Sequence, residues 1–251
     1  MIFIYDASFE GFLTTVFSAY EQRCNNPKIL KHHQFIESFF EESETVFTSQ
    51  EKAKRVWKKL EKNCGKSGCN QIYRAFLSEI EGIENTLFQY IRHAMSSSKN
   101  ITKDYAHPAV LEVVQTVKKV GREKHRMDAF VRFRKTRDGI YFATIEPDFN
   151  VLPLNVKHFK NRYADQKWCI YDLKRNYGIY YDLEKVNIVH LELPKNILQS
   201  SSEFFTSEEI EFQHLWKNYF DSTNIKSRKN VKLHQQHVPK RYWKYLSEKY
   251  L

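Results

Sequence analysis

Ala129-Phe130-Val131-Arg132-Phe133-Arg134 and Tyr141-Phe142-Ala143-Thr144-Ile145, joined across Asp138-Gly139, decide the fold class of this chain. Upstream, apolar residues recur every three or four positions; here they recur every second position. Ala129, Val131 and Phe133 alternate with Phe130, Arg132 and Arg134, and Tyr141, Ala143 and Ile145 alternate on the return. Asp-Gly between two such runs is a strong hairpin signal, because a two-residue turn needs positive φ. The change of period from about 3.6 to 2 marks the passage from amphipathic helix to half-buried strand.

Working outward, Pro153, Val156, Phe159 and Tyr163 have helical spacing, and Trp168–Asp172, Gly178–Tyr181 and Val186–Leu191 read as three further strands. Toward the N-terminus, Ile2–Tyr5 is a short strand, and Ser8 caps a helix whose Phe9, Phe12, Leu13, Val16, Phe17 and Tyr20 share one face. Asn25-Asn26-Pro27 closes it, and acidic residues 37–48 read as an exposed loop. Thr48 and Glu51 form a capping-box pattern before Ala53, Val56, Trp57 and Leu60, and Gly65–Gly68 reads as a break. Helices follow over Ile72–Ile80, over Ile83–Ala94 and from Pro108 onward. Near the C-terminus, Thr206 and Glu209 cap a segment carrying Phe212, Leu215, Trp216 and Tyr219, and a basic, aromatic segment runs from Lys226 to Tyr250. The expectation is an α+β fold with an antiparallel sheet rather than alternating βαβ units. It comprises one interlocked domain over 1–251, with a mainly helical part (1–117), a sheet-containing part (118–193) and a basic C-terminal helical part (194–251).

With 41% hydrophobic and 15% aromatic residues, the 251-residue chain has ample material for a core and does not resemble a disordered one. Seven Gly and six Pro argue against low-complexity and glycine-loop-rich classes. No apolar run approaches the roughly 20 residues that span a bilayer, and Met1–Asp6 lacks a basic region followed by an apolar one. The expectation is therefore a soluble, cytoplasmic protein without a signal peptide or membrane contact.

Charge points to function. The net charge is +10. Residues 118–137 hold nine Lys/Arg against Glu123 and Asp128, and residues 224–244 hold seven Lys/Arg and no acid. Charge gathered in this way suits a polyanionic partner, most often nucleic acid. On a helix, Lys118, Arg122 and His125 share a face, as do Lys119, Arg122 and Arg126. Cations on one face repel one another and are better placed beside phosphates than as a stabilising surface. As a strand, Arg132 and Arg134 project with Phe130, and with Phe142 across the hairpin; such a face can stack and neutralise a single strand. Alternatively the arginine stems simply cover a half-buried sheet. The second stretch comprises Lys226, Arg228, Lys229, Lys232, Lys240, Arg241 and Lys244, interleaved with Tyr242, Trp243 and Tyr245. Docking of Trp243 and Leu246 into the core is compatible with a basic outer face.

Other chemistry finds less support. Cys24, Cys64, Cys69 and Cys169 include one pair, Cys-Gly-Lys-Ser-Gly-Cys, without a second pair or nearby histidines; reduced thiols are expected, and no metal site. Gly65-Lys66-Ser67 resembles the end of a phosphate loop, but Leu60 stands where that loop needs glycine. His234 and His237 lack a third ligand. No cofactor is implied. Glu146-Pro147-Asp148-Phe149-Asn150, after the hairpin, offers two carboxylates and an amide for acid–base work or for ending a strand. Glu146 and Asp148, with His125 and His158 as proton carriers, are the catalytic candidates.

Several of these residues carry a resemblance. Tyr5-Asp6-Ala7-Ser8-Phe9-Glu10-Gly11-Phe12-Leu13, Val120–Arg126, Phe130–Phe133, Ile145–Asp148, Val151–Leu154, His158-Phe159 and Pro239–Leu246 together resemble a bacterial family of DNA-metabolism and DNA-repair proteins that carries a domain of unknown function. The likeness runs nearly the full length, with Ala7 where Gly is expected. It implies a DNA-repair setting: members are encoded beside a radical S-adenosylmethionine DNA-repair protein, and the domain occurs fused to uracil-DNA-glycosylase-like domains. It transfers no catalytic residue, although His125, Arg126, Asp148 and Arg241 lie in its motifs. The leading expectation is a DNA-binding accessory protein that serves a separate partner enzyme of one of these kinds. A DNA-processing enzyme using Asp148 or His125, and an RNA-binding or scaffold protein, are the alternatives.

Overall fold

The structure is a computed structural model describing residues 1–36, 41–97, 99–192, 205–206 and 235–246, together with 208–209, 211–212, 215 and 218. The fold is α+β. The chain forms two compact units, Met1–Gly121 and Arg122–Leu251.

In the first unit, β1 (Ile2–Tyr5) is buried at every position and lies between β2 (Lys28–Lys31) and β3 (Ser43–Thr45), parallel to both. Helix α1 (Phe9–Glu21) is the crossover from β1 to β2, so this unit opens with a βαβ unit that the sequence reading excludes. Lys-Ile-Leu-Lys and Ser-Glu-Thr are too short and polar to announce strands; they pair because β1 presents both of its edges. Residues 43–45, expected in a loop, are thus a strand.

Helices α2 (Gln50–Phe76) and α3 (Ile83–Ser96) complete the core, where Phe12, Leu60, Ile72, Leu87 and Ile91 are buried. Phe9 meets Trp57, Tyr73 and Phe76 edge-on at 5.1–5.5 Å between ring centres. Ser49 rather than Thr48 caps α2, accepting from the Lys52 N–H, while the Thr48 hydroxyl donates to Asp6 at 2.7 Å. The expected break at Gly65–Gly68 is a kink: Gly65 adopts φ 65°, ψ −177°, and the helix resumes beyond it. Ala7 has φ 66°, which explains why glycine is expected there. A single buried carboxylate, Glu84, joins strand to helix by accepting from the Tyr5 hydroxyl at 2.9 Å and pairing with Lys31 at 3.4 Å.

Helix α4 (Pro108–Phe130) runs through the division. It extends over Ala129 and Phe130, and only Arg134–Lys135 (β4) pairs as a strand, so the alternation at 129–133 is not a strand. The physical reason is local. Arg132 donates to the Ala129 carbonyl at 2.8 Å and closes the helix end, while Phe133 packs among Phe159, Tyr163 and Trp168. The hairpin turn is as expected, with Gly139 at φ 74°.

In the second unit, β4, β5 (Tyr141–Ile145), β6 (Trp168–Asp172), β7 (Tyr177–Tyr181) and β8 (Val186–Val189) lie in that order. All ladders are antiparallel except β5–β6, which α5 (Leu152–Arg162) connects as a parallel crossover. Trp168 is fully buried between Phe159 of α5 and Tyr181 of β7. Near the C-terminus, Thr206 accepts from the Glu209 N–H, and Lys240–Tyr245 forms a 3-10 turn that buries Tyr242 and Leu246 and leaves Trp243 half-buried. Among the described residues, no helix is long and apolar enough to cross a membrane.

Candidate functional site

The parallel β5–β6 ladder, with Ile145 opposite Asp172, brings the carboxyl ends of both strands to one edge of the sheet. In open sheets, loops at the carboxyl ends of parallel strands are the usual places for ligands. Here those loops are 146–150 and 173–176, and a dense polar network joins them.

Asp172, fully buried, anchors one loop. Its Oδ1 accepts from the backbone N–H groups of Lys174 and Arg175 at 3.0 and 3.2 Å, and its Oδ2 from the Arg175 guanidinium at 2.8 Å. Burial raises its carboxyl above the ordinary range in spite of that partner. Arg175 also donates to the Pro147 and Asp148 carbonyls at 3.1 and 3.2 Å, which ties the two loops together. Asn150 accepts from the Tyr177 hydroxyl at 2.5 Å.

Glu123 is the hub. Only 1% of its side chain is exposed. One oxygen accepts from the Tyr242 hydroxyl at 2.5 Å and the Asp148 N–H at 2.9 Å; the other faces Arg241 at 3.0 Å and Arg126 at 3.5 Å. Arg241 also bonds Asp148 at 2.8 Å and lies over the Tyr242 ring. The two arginines keep 31% and 41% of their side chains in solvent. Arg126, from the first basic stretch, and Arg241, from the second, therefore meet on one carboxylate. Lys244 pairs with Glu146: burial works to raise the Glu146 carboxyl, but the hydrogen bond and charge of Lys244 prevail and hold it below its ordinary value.

Beside this hub, α4 and α5 share a second cluster. Asp128 pairs with Lys124, accepts from Asn155 Nδ2 at 2.6 Å and lies 4.0 Å from His158 Nδ1. His158 Nε2 is buried without a hydrogen-bond partner among the described residues.

The remaining candidates are spread more widely. Lys118, Lys119, Arg122 and His125 are exposed on α4, and Lys240 is exposed at the start of the 3-10 turn. Arg132 is spent on the helix end. Arg134 lies opposite Phe142 as expected, but Phe142 is buried, and the guanidinium stacks 3.9 Å from the Phe205 ring. The mixed arginine–aromatic face of Phe130, Arg132 and Arg134 is therefore not assembled. Trp243 donates to the Val238 carbonyl at 3.0 Å. Lys226, Arg228, Lys229, Lys232 and His234 lie outside the described residues. Among the described residues, no three His, Cys, Asp or Glu side chains converge as a metal site. Sequence reasoning missed Glu123, Asp172, Arg175 and Tyr242 as organising residues. The one available signal was a lone glutamate inside a strongly basic run, a charge that needs a reason to be there.

The hub residues from Glu123 to Tyr242 all fall within residues 81–248, which match a domain of unknown function, DUF4130. The chain belongs to the DUF4130 family. The match covers the whole sheet of the second unit and begins within the first, just before α3. The opening Tyr5–Leu13 motif lies outside it. No curated protein and no solved structure matches the chain significantly.

Proposed function

We propose that this DUF4130 protein is a nucleic-acid-binding accessory factor in DNA metabolism that acts with a separate enzyme. The observation that carries this reading is the meeting of Arg126 and Arg241 on Glu123, with 31% and 41% of the two side chains left in solvent. Exposed Arg122 lies one helical turn from Arg126, and exposed Lys240 precedes Arg241. Arginine binds phosphate bidentately and exchanges a carboxylate partner for a phosphate without losing its charge-assisted bonds. The second unit supports the reading as a whole, with 24 Lys/Arg against 16 Asp/Glu. The DNA-repair setting, with a radical S-adenosylmethionine or uracil-DNA-glycosylase-like partner, rests on the motif resemblance.

A second reading, a DNA-processing enzyme, draws on Asp148, whose carboxylate is 49% exposed beside Arg241. A substrate phosphate that took Arg241 would release Asp148 for acid–base work.

The test is a binding panel of single- and double-stranded DNA and RNA at several salt concentrations. Affinity for DNA falls steeply with salt, and Arg122→Ala with Lys240→Ala lowers the log–log slope by roughly 1 to 2, as expected for two lost phosphate contacts. An unchanged slope overturns the assignment of this surface. Turnover of lesion-bearing oligonucleotides that disappears in Asp148→Asn, with binding intact, favours the enzyme.

A further inference from the structure

Helix α2 of the first unit carries a third concentration of cations. Residues 52–66 hold seven Lys/Arg and one acid, Glu61. Lys54, Lys58 and Lys62 follow one another at the i, i+4 spacing that sets side chains on one face, and all three are exposed. Lys52 pairs with Glu21 at 3.2 Å and Arg55 lies over the Phe17 ring, but Lys54, Lys58 and Lys62 have no carboxylate partner among the described residues. Like charges at this spacing work against the helix that carries them. Trp57, next to Lys58 in the chain, lines a cleft of about 470 Å³ with Phe9, Tyr73, Glu61 and Lys66. The kink at Gly65 makes this cleft. In an unbroken helix, residues 57 and 73 would point roughly 160° away from each other. The left-handed φ of 65° at Gly65 breaks that relation, and both rings instead meet Phe9 edge-on, at 5.5 and 5.1 Å between centres. Phe9 is held in turn by Phe76 at 5.1 Å, while Trp57 and Tyr73 are only partly buried.

We propose that this surface of α2 holds a single strand of nucleic acid, with an unpaired base in the aromatic cleft and the backbone along Lys54, Lys58 and Lys62. The class of partner rests on the nucleic-acid reading of the protein; the surface itself shares no residue with the Arg126–Arg241 site. A stripe of unpaired cations calls for anions in line, and a phosphodiester chain supplies one with every nucleotide. Aromatic side chains beside such a stripe offer a base a π-face, and stacking of this kind tolerates every base. A duplex keeps its bases stacked on one another and gives one up only at a cost, so the cleft selects an unpaired strand. Its volume lies within the range of small-ligand sites, roughly 300–1,000 Å³, and admits a base whole. Lys66, exposed at the cleft, is placed for the phosphate that carries this base, and Glu61 is placed to accept from a base N–H. An acidic peptide would satisfy the cations without entering the cleft.

The experiment irradiates the full natural chain with an oligothymidylate of about ten nucleotides, a length within the span of one stacking platform, that carries 4-thiothymidine, and maps the cross-links by mass spectrometry. They are expected at Trp57 or Tyr73, and a blunt duplex carrying the same base should give none there. Lys54→Ala, Lys58→Ala and Lys62→Ala together, all at exposed positions, should lower the log–log salt slope for the single strand by roughly 2, at about 0.7 for each lost phosphate contact. Cross-links confined to other residues, equal cross-linking of the duplex, or an unchanged slope in the triple variant overturns the proposal. Polyglutamate that displaces the strand as well as oligothymidylate does, at equal charge, marks a docking surface for an acidic protein and overturns it too. Arg122→Ala with Lys240→Ala keeps the two surfaces apart. Cross-links at Trp57 or Tyr73 that persist in this variant support the α2 surface by itself. Binding that is lost in this variant, with no cross-link at either ring in the natural chain, leaves the second-unit site standing and the α2 surface refuted. A natural chain that binds no oligonucleotide overturns both.

Discussion

Each unit of this protein buries a glutamate that a tyrosine and basic residues satisfy, and the two sites differ in one respect. In the first unit, Glu84 accepts from Tyr5 and pairs with Lys31, whose side chain is only 9% exposed, so the whole arrangement is sealed. In the second, Glu123 accepts from Tyr242, but its partners Arg126 and Arg241 remain 31% and 41% exposed. A tyrosine and cations around a buried glutamate give a structural rivet with Lys31 in one place and a pair of oriented, partly exposed arginines in the other. Burial of the cation, rather than the presence of the ion pair, separates the two roles.

The comparison is most directly broken by removing each glutamate. Glu84→Ala leaves Lys31 buried without its counter-charge and is expected to cost about 3–5 kcal/mol. Glu123→Ala is expected to cost less, about 2–3 kcal/mol, because both arginines can turn to water and the main loss is the bonds to Tyr242 and Asp148. Chemical denaturation of the two variants checks the order; equal losses would show that exposure of the arginines does not matter. Tyr242→Phe removes two charge-assisted bonds, the one its hydroxyl donates to Glu123 and the one it accepts from Arg241, and is expected to destabilise by about 1.5–2 kcal/mol. Tyr5→Phe provides its counterpart in the first unit.

A binding measurement sharpens the contrast. Glu123→Gln keeps the shape and removes the charge that competes for Arg126 and Arg241, so nucleic-acid affinity should rise and its salt dependence steepen. Glu84→Gln should change neither. A smaller effect is expected at Ala7, where glycine relieves a left-handed residue: Ala7→Gly should stabilise the chain by about 0.5–1 kcal/mol. The smallest concerns pH. Glu146 has its folded pKa lowered from 4.5, chiefly by Lys244 working against burial. Its contribution is therefore present above about pH 4.5 and is lost as pH falls through the lower folded value. In Glu146→Gln the acid limb of the stability profile should flatten slightly, while Lys244→Ala should reproduce the change.

Much of the fold is legible in the residues. Helical spacing locates α1, α3, α4 and α5, the turn at Gly139 is visible in Asp-Gly, and β6 to β8 are read nearly to their ends. The failures share a cause. Lys28–Lys31 and Ser43–Thr45 are strands only because Ile2–Tyr5 pairs with them. Residues 129–133 alternate like a strand, but α4 runs on to Phe130 and Arg132 closes its end. In both cases a long-range partner or an end cap outweighs local pattern. For the site, composition identified the two basic stretches and the carboxylate loop, and the family resemblance marked His125, Arg126, Asp148 and Arg241 as motif positions. Composition ranked Glu123 as a mere subtraction from the charge.

Amino-acid order alone determined the α+β class and the excess of cations in the second unit, because periodicity and composition are local properties, while the family resemblance marked Arg126 and Arg241 as motif positions. Tertiary structure decided that these two arginines, 115 positions apart, share one buried carboxylate while facing solvent. That outcome turns on where the chain bends and which side chains lose water, and those are settled only when distant segments pack.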